Sequence, residues 1–138
     1  MKFNKLIPEL SVSDIEKSTH FYVDILGFKI EYKRDENNFV FLSLNDSQLM
    51  IEQFNGNWIT GNLEYPLGRG INFQFEVDNI LILLENLNKN NYPLFQAPED
   101  NWYRVDDKYK GNREFLVQDP DGYLLRFSQD ISDKKVVK

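Results

Sequence analysis

The 138-residue chain has no cysteine, which excludes disulfides, zinc–thiolate centres and a thiol nucleophile, and which fits a reducing compartment. It has a single histidine, His20, beside Phe21 in a stretch with helical periodicity. No Ser–His–acid set assembles around that residue, so a structural role is favoured. No apolar run approaches the ~20 residues of a membrane span, and none of signal-peptide length precedes Pro8 and Glu9. A cytoplasmic location without membrane attachment is therefore expected. A basic face is missing too. With a net charge of −6, the chain lacks the cationic surface that releases counterions from phosphates, so nucleic acid is excluded as a partner. The only basic cluster is the terminal "DKKVVK", read as a solvated end. "GNWITG" and "GRG" lack the lysine or third glycine of phosphate loops and open no helix after a strand.

What is present is an ordinary globular balance, 41% hydrophobic and 28% charged, with a high aromatic share of 14%, part of which must be core and part of which suits ligand-pocket walls. The length predicts one domain. Within it, two stretches share one layout. The first reads as strand "KLIPELSV", helix "SDIEKSTHFYVDIL" and strands "FKIEYKR", "FVFLSL" and "QLMIEQF". Ser13 and Glu16 form a capping box for the helix, and Gly27 ends it. The second reads as strand "GINFQFEV", a helix from Asn79 capped by Asp78 with the stripe Ile80, Leu83, Leu84 and Leu87, and a segment "YPLFQ". An irregular stretch "APEDNWYRVDDKYKGN" follows, then strands "REFLVQ" and "YLLRFSQ" about a "DPDG" turn. Val12–Ser13–Asp14–Ile15 aligns with Val77–Asp78–Asn79–Ile80. The prediction is an α+β fold of two βαβββ repeats, about 4–54 and 70–130, forming a curved mixed-sheet cleft. A linker over about 55–69 joins them, and a tail covers 131–138. Trp58 and Tyr65 suggest that the linker packs on something.

"LIPELSVSDIEKSTHFYVDILGFKI", "GINFQFEVDNI" and "REFLVQDPDGYLLRF", in that order and spacing, resemble the glyoxalase/bleomycin-resistance/dioxygenase (vicinal oxygen chelate) superfamily, and more closely its bleomycin-resistance-like branch. The resemblance implies the paired βαβββ fold. It also implies homodimers with two clefts at the interface. Catalytic members carry four metal ligands, usually His or Gln, Glu, His and Glu. Carried over by position, these fall on Ile7, Glu52, Asn72 and Arg126. Ile7 has no donor atom and Arg126 is a fixed cation, so no metal or other cofactor is expected.

Strand alternation extends the expected cleft. Glu9 joins position 7, Gln74 joins Asn72, and Met50 and Phe54 flank Glu52. Phe39 and Phe41 come from the preceding strand. Arg126 is expected to pair with Glu52, to contact a ligand, or both. The resemblance also implies that an aromatic side chain in the irregular stretch stacks on the flat part of a drug. Trp102 matches by position with Tyr103 beside it, although Trp102 could instead pin the loop to the sheet. The expected function is metal-free binding of a small cationic or aromatic ligand at a dimer-interface cleft. The alternatives are a metal-independent lyase or isomerase using Arg126 with Glu9 or Glu52, and a regulatory module with a vestigial pocket.

Overall fold

A computed structural model describes residues 1–132, so the basic tail lies outside the described residues. Two four-stranded mixed sheets, each with one helical segment, give an α+β fold. Two compact units contain them, Met1–Arg69 with Asp119–Tyr123, and Gly70–Gln118 with the described residues from Leu124 onward.

In the first unit, β1 (Glu9–Val12), β2 (Lys29–Arg34), β3 (Phe39–Leu44) and β4 (Ser47–Gln53) form a sheet of order β1-β4-β3-β2. β1 runs parallel to β4, and the other pairs are antiparallel. Apolar and polar residues alternate along β1 and β4, as a sheet with one covered face requires. Leu10, Val12, Leu49 and Ile51 are buried, as are Phe21, Tyr22, Ile25 and Leu26 of the helical segment. That segment starts as α1 (Ile15–Thr19) and continues as a π-helix over His20–Ile25. Its cap is Asp14, not Ser13: the Asp14 carboxylate accepts from the Glu16 and Lys17 amides, at 3.0 and 3.2 Å. The Ser13 amide instead donates to Asp121. Gly27 ends the segment at φ +86°, a conformation that glycine adopts without strain.

The second unit repeats the pattern with β5 (Asn72–Glu76), β6 (Gln96–Val105), β7 (Lys108–Gln118) and β8 (Leu124–Asp130), in the order β5-β8-β7-β6 with β5 parallel to β8. Phe75, Phe115 and Phe127 stack with centroids 5.2 and 5.5 Å apart. Ile80, Leu83 and Leu87 of α2 (Ile80–Lys89) are buried. Asn79, not Asp78, caps α2 by accepting from the Leu81 amide.

Three expectations are corrected. The irregular stretch is a long antiparallel hairpin, in which β6 pairs with β7 from Gln96–Leu116 to Val105–Lys108. Its two-residue turn is Asp106–Asp107, with Asp106 at φ +57°, an angle that aspartate tolerates better than most residues. "YPLFQ" is not a strand until Gln96. In the connector Trp58 is 81% exposed and Tyr65 64% exposed, so neither ring is packed away.

Candidate functional site

In the first unit, register and alternation bring five of the expected residues to one sheet face. Glu9 pairs with Met50, Phe41 with Met50, and Phe39 with Glu52. The two phenylalanines are buried. Tyr32 stacks on Phe41 with centroids 5.1 Å apart and planes 16° apart, and Phe3 meets Phe41 edge-on at 5.5 Å. Arg34 places its guanidinium 4.0 Å over the Phe39 ring, a cation–π contact. The amino-terminal residues are held against this sheet, where the Asn4 amide donates to Gln48 Oε1 at 2.7 Å. Burial first, and then the neighbouring Glu52 charge, hold the Glu9 carboxyl above its ordinary range, with Arg34 pulling the other way. Glu52 accepts from Asn55 Nδ2 at 3.2 Å. This face combines an aromatic wall with two neighbouring acids.

In the second unit, Asn72, Tyr103 and Arg126 line a polar recess of about 310 Å³ with Asn101, Glu99 and Glu114. Gln74 stands opposite Arg126 in register. The buried Glu114 organises the recess. Its Oε1 lies 3.8 Å from Arg126 Nη1, and its Oε2 accepts from the Tyr103 hydroxyl and, at 3.2 Å, from Asn101 Nδ2. At 3.8 Å the ion pair is charge attraction without a hydrogen bond. Glu114 Oε1 and Arg126 Nε accordingly have no hydrogen-bond partner among the described residues. Glu114, through its hydrogen bond and its charge, raises the Tyr103 phenol above its ordinary range, and burial adds to the shift. Arg126 is thus held by Glu114 on the adjacent strand, whereas the expected partner Glu52 lies in the other unit.

Two expected residues stand apart from these faces. Alternation along β6 sends Trp102 to the opposite side from Asn101 and Tyr103, and there its ring covers Gly111, its cross-strand partner. A methyl group added at Gly111 would overlap the indole, so the ring lies this close only over a glycine and would have to shift for any larger residue. Phe54 lies beyond the end of β4 and lines a separate cavity with connector residues. His20 is exposed and paired with Asp24 at 2.8 Å. The residues that sequence reasoning missed are Phe3, Tyr32, Arg34, Asn101 and Glu114. Of these, Glu114 was signalled by its alternation with Leu116 and Gln118.

The donor set does not fit a divalent ion at the four positions implied by the resemblance. Position 7 is an isoleucine, and position 126 carries a cation that would repel the metal. Glu114, the acid nearest Arg126, already faces that guanidinium. Among the described residues, no group of three His, Cys, Asp or Glu side chains could hold a metal ion.

The family model described as the Glyoxalase/Bleomycin resistance protein/Dioxygenase superfamily matches residues 4–127. The chain belongs to this superfamily. A superfamily relative from Geobacillus stearothermophilus, named a bleomycin resistance protein, is 30% identical over 135 residues, covering 91% of this chain and 96% of its own. A probable lactoylglutathione lyase of Vibrio parahaemolyticus is 29% identical over 129 residues, covering 88% and 86%. Among solved structures, TioX from Micromonospora sp. ML1 aligns with a TM-score of 0.71 at 15% identity, covering 94% of this chain and 100% of its own. A superfamily protein from Alicyclobacillus acidocaldarius aligns at 0.65 and 18% identity, covering 96% of each chain. At these identities the likeness is one of fold. Superfamily membership does not choose between the relatives' activities, which reside in the site. No helix among the described residues is long and apolar enough to cross a membrane.

Proposed function

We propose that the chain, as one domain over 1–138, binds a small organic cation with an aromatic body and does so without a metal. The observation that carries this reading is Arg126. At the position where the resemblance expects an acidic metal ligand stands a guanidinium held by the buried Glu114. The nature of the ligand is supported by the first unit's face, where Glu9 and Glu52 sit beside the Phe39, Phe41 and Tyr32 rings. Among the described residues, Arg34 is the cation that acts on Glu9, and it is turned onto aromatic faces. A ligand carrying positive charge would relieve the repulsion between the two acids. Expected ligand contacts are Glu9, Met50 and Glu52 with the aromatic wall, and Asn72, Gln74, Tyr103 and Arg126. The Geobacillus relative is named a bleomycin resistance protein, which makes bleomycin a suitable probe for this role. Function as a homodimer is part of the proposal, and light scattering at micromolar concentration tests it. A 16.4 kDa species alone would contradict it.

The test is titration calorimetry with bleomycin as probe. Glu52→Gln and Glu9→Gln are expected to weaken binding, each by about 2–5-fold, with the effect shrinking as salt rises. Affinity unchanged in both variants would remove the cation-binding face.

A second reading, a metal-independent lyase, is favoured by one observation, the raised carboxyl of Glu9, which suits a general base. A lactoylglutathione lyase assay on chelator-treated protein tests it. Turnover lost in Glu9→Gln would favour the enzyme, and no turnover in the wild type would exclude it.

A further inference from the structure

We propose that the first unit carries a second ligand site, separate from the sheet faces, for an ammonium group borne on a compact apolar body. The site is a cavity of about 720 Å³, lined by the end of β1, the connector and the "DPDG" turn. That volume lies in the range that holds small organic ligands. Phe54, Leu63, Tyr65 and Val12 give it apolar walls. Phe54, Leu63 and Tyr65 are also exposed, an unusual cost for large apolar side chains around a recess unless something covers them.

The polar end of the cavity is Asp121. The residue is 7% exposed and lines the cavity. Oδ2 accepts from the Ser13 amide at 3.0 Å, while the residue's own carbonyl accepts from the Leu67 amide at 2.9 Å. These bonds fix the carboxylate at the junction of turn, connector and α1. Oδ1 has no hydrogen-bond partner among the described residues. Among the described residues the lining contains no lysine, arginine or histidine, and Asp121 is its sole charge there. A largely buried carboxylate with one oxygen free of protein donors, and with no cation among the described lining residues, selects a cationic donor; an ammonium can also donate to Gln53 or Asn62 on the same wall. At Gly122 the turn packs closely on the connector, where an added Cβ would come 2.6 Å from Pro66 Cα.

The test uses 2-naphthylmethylammonium as probe, with 2-naphthylmethanol as its neutral isostere, followed by calorimetry and by methyl chemical shifts. The ammonium is expected to bind the wild type at least 10-fold more tightly than the alcohol, shifting Val12, Ile59 and Leu63 methyls. In Asp121→Asn, which retains an oxygen for the Ser13 amide, the two probes should bind equally. In Leu63→Trp, which fills the cavity from an exposed connector position, both should fail to bind while the melting temperature holds. Equal affinities in the wild type would overturn the proposal, as would shifts at Met50 in place of the cavity methyls. So would a fall in assembly mass on Leu63→Trp, because the cavity would then belong to an interface between copies. None of these outcomes alters the bleomycin titration, so failure here is distinguishable from failure of the sheet-face site.

Discussion

Arg126 on β8 faces Glu114 on β7 across 3.8 Å, and Glu114 is almost completely withdrawn from solvent. The register sets this pairing, since Leu116 is opposite Arg126 and Glu114 opposite Ser128, one diagonal step along the same face. Removing the cation leaves a buried carboxylate supported only by Tyr103 and Asn101. Arg126→Ala is therefore expected to cost about 2–4 kcal/mol, because the guanidinium is partly solvated and the full penalty of a deeply buried pair does not apply. Urea unfolding measures this. Adding Glu114→Gln to Arg126→Ala should recover at least half of the loss, and a simple sum of two losses would contradict the pairing.

Trp102 makes the opposite kind of claim. Its ring covers Gly111 on the face away from Tyr103, so Trp102→Ala should lower stability by about 1–3 kcal/mol, less than for a fully buried tryptophan. Bleomycin affinity should change less than 2-fold. A large loss of affinity with an unchanged melting temperature would return Trp102 to the ligand.

Asp119 predicts a pH dependence. It is the buried first residue of the "DPDG" turn, and accepts from the Tyr22 hydroxyl at 2.7 Å and from the Asp121 and Tyr123 amides at 2.9 and 3.0 Å. Burial outweighs these bonds and lifts its carboxyl from 3.8 to about 6. A raised acid binds its proton more tightly in the folded state, so its contribution is full below the unfolded value near 4. That contribution is lost as pH rises through about 6. The shift corresponds to about 2–3 kcal/mol at most. Asp119→Asn keeps the acceptor for the two amides, and should flatten the fall in stability between pH 4 and 6 in thermal melts. An unchanged slope would contradict the assignment.

Much of the fold is legible because its signals are local. The alignment of Val12–Ile15 with Val77–Ile80 reveals the repeat, and the apolar run "FVFLSL" between its turn signals coincides with β3. Both helix caps fall one residue later than the sequence signals place them, at Asp14 and Asn79, because aspartate, serine and asparagine compete as caps and tertiary contacts decide. Ser13, for instance, is drawn to Asp121. The β6–β7 hairpin was hidden by Pro98 and by the acids in "PEDNWYRVDDK", which read as loop chemistry although edge strands tolerate them. The π-helix at His20–Ile25 has no signal that we can identify. At the site, the resemblance points by position to Glu52, Asn72 and Arg126, and alternation adds Glu9 and Gln74. The partners Glu114, Tyr32 and Arg34 come from long-range register, which one sequence does not encode visibly.

The central claim is that an organic cation is bound without a metal, and calorimetric titration of bleomycin tests it most directly, run with excess chelator and again with added zinc or nickel. The account predicts saturable binding with the same affinity, within about 2-fold, in both conditions. It also predicts no heat from either metal alone. Binding that appears only when the divalent ion is supplied, with one ion retained per chain after dialysis, would contradict it.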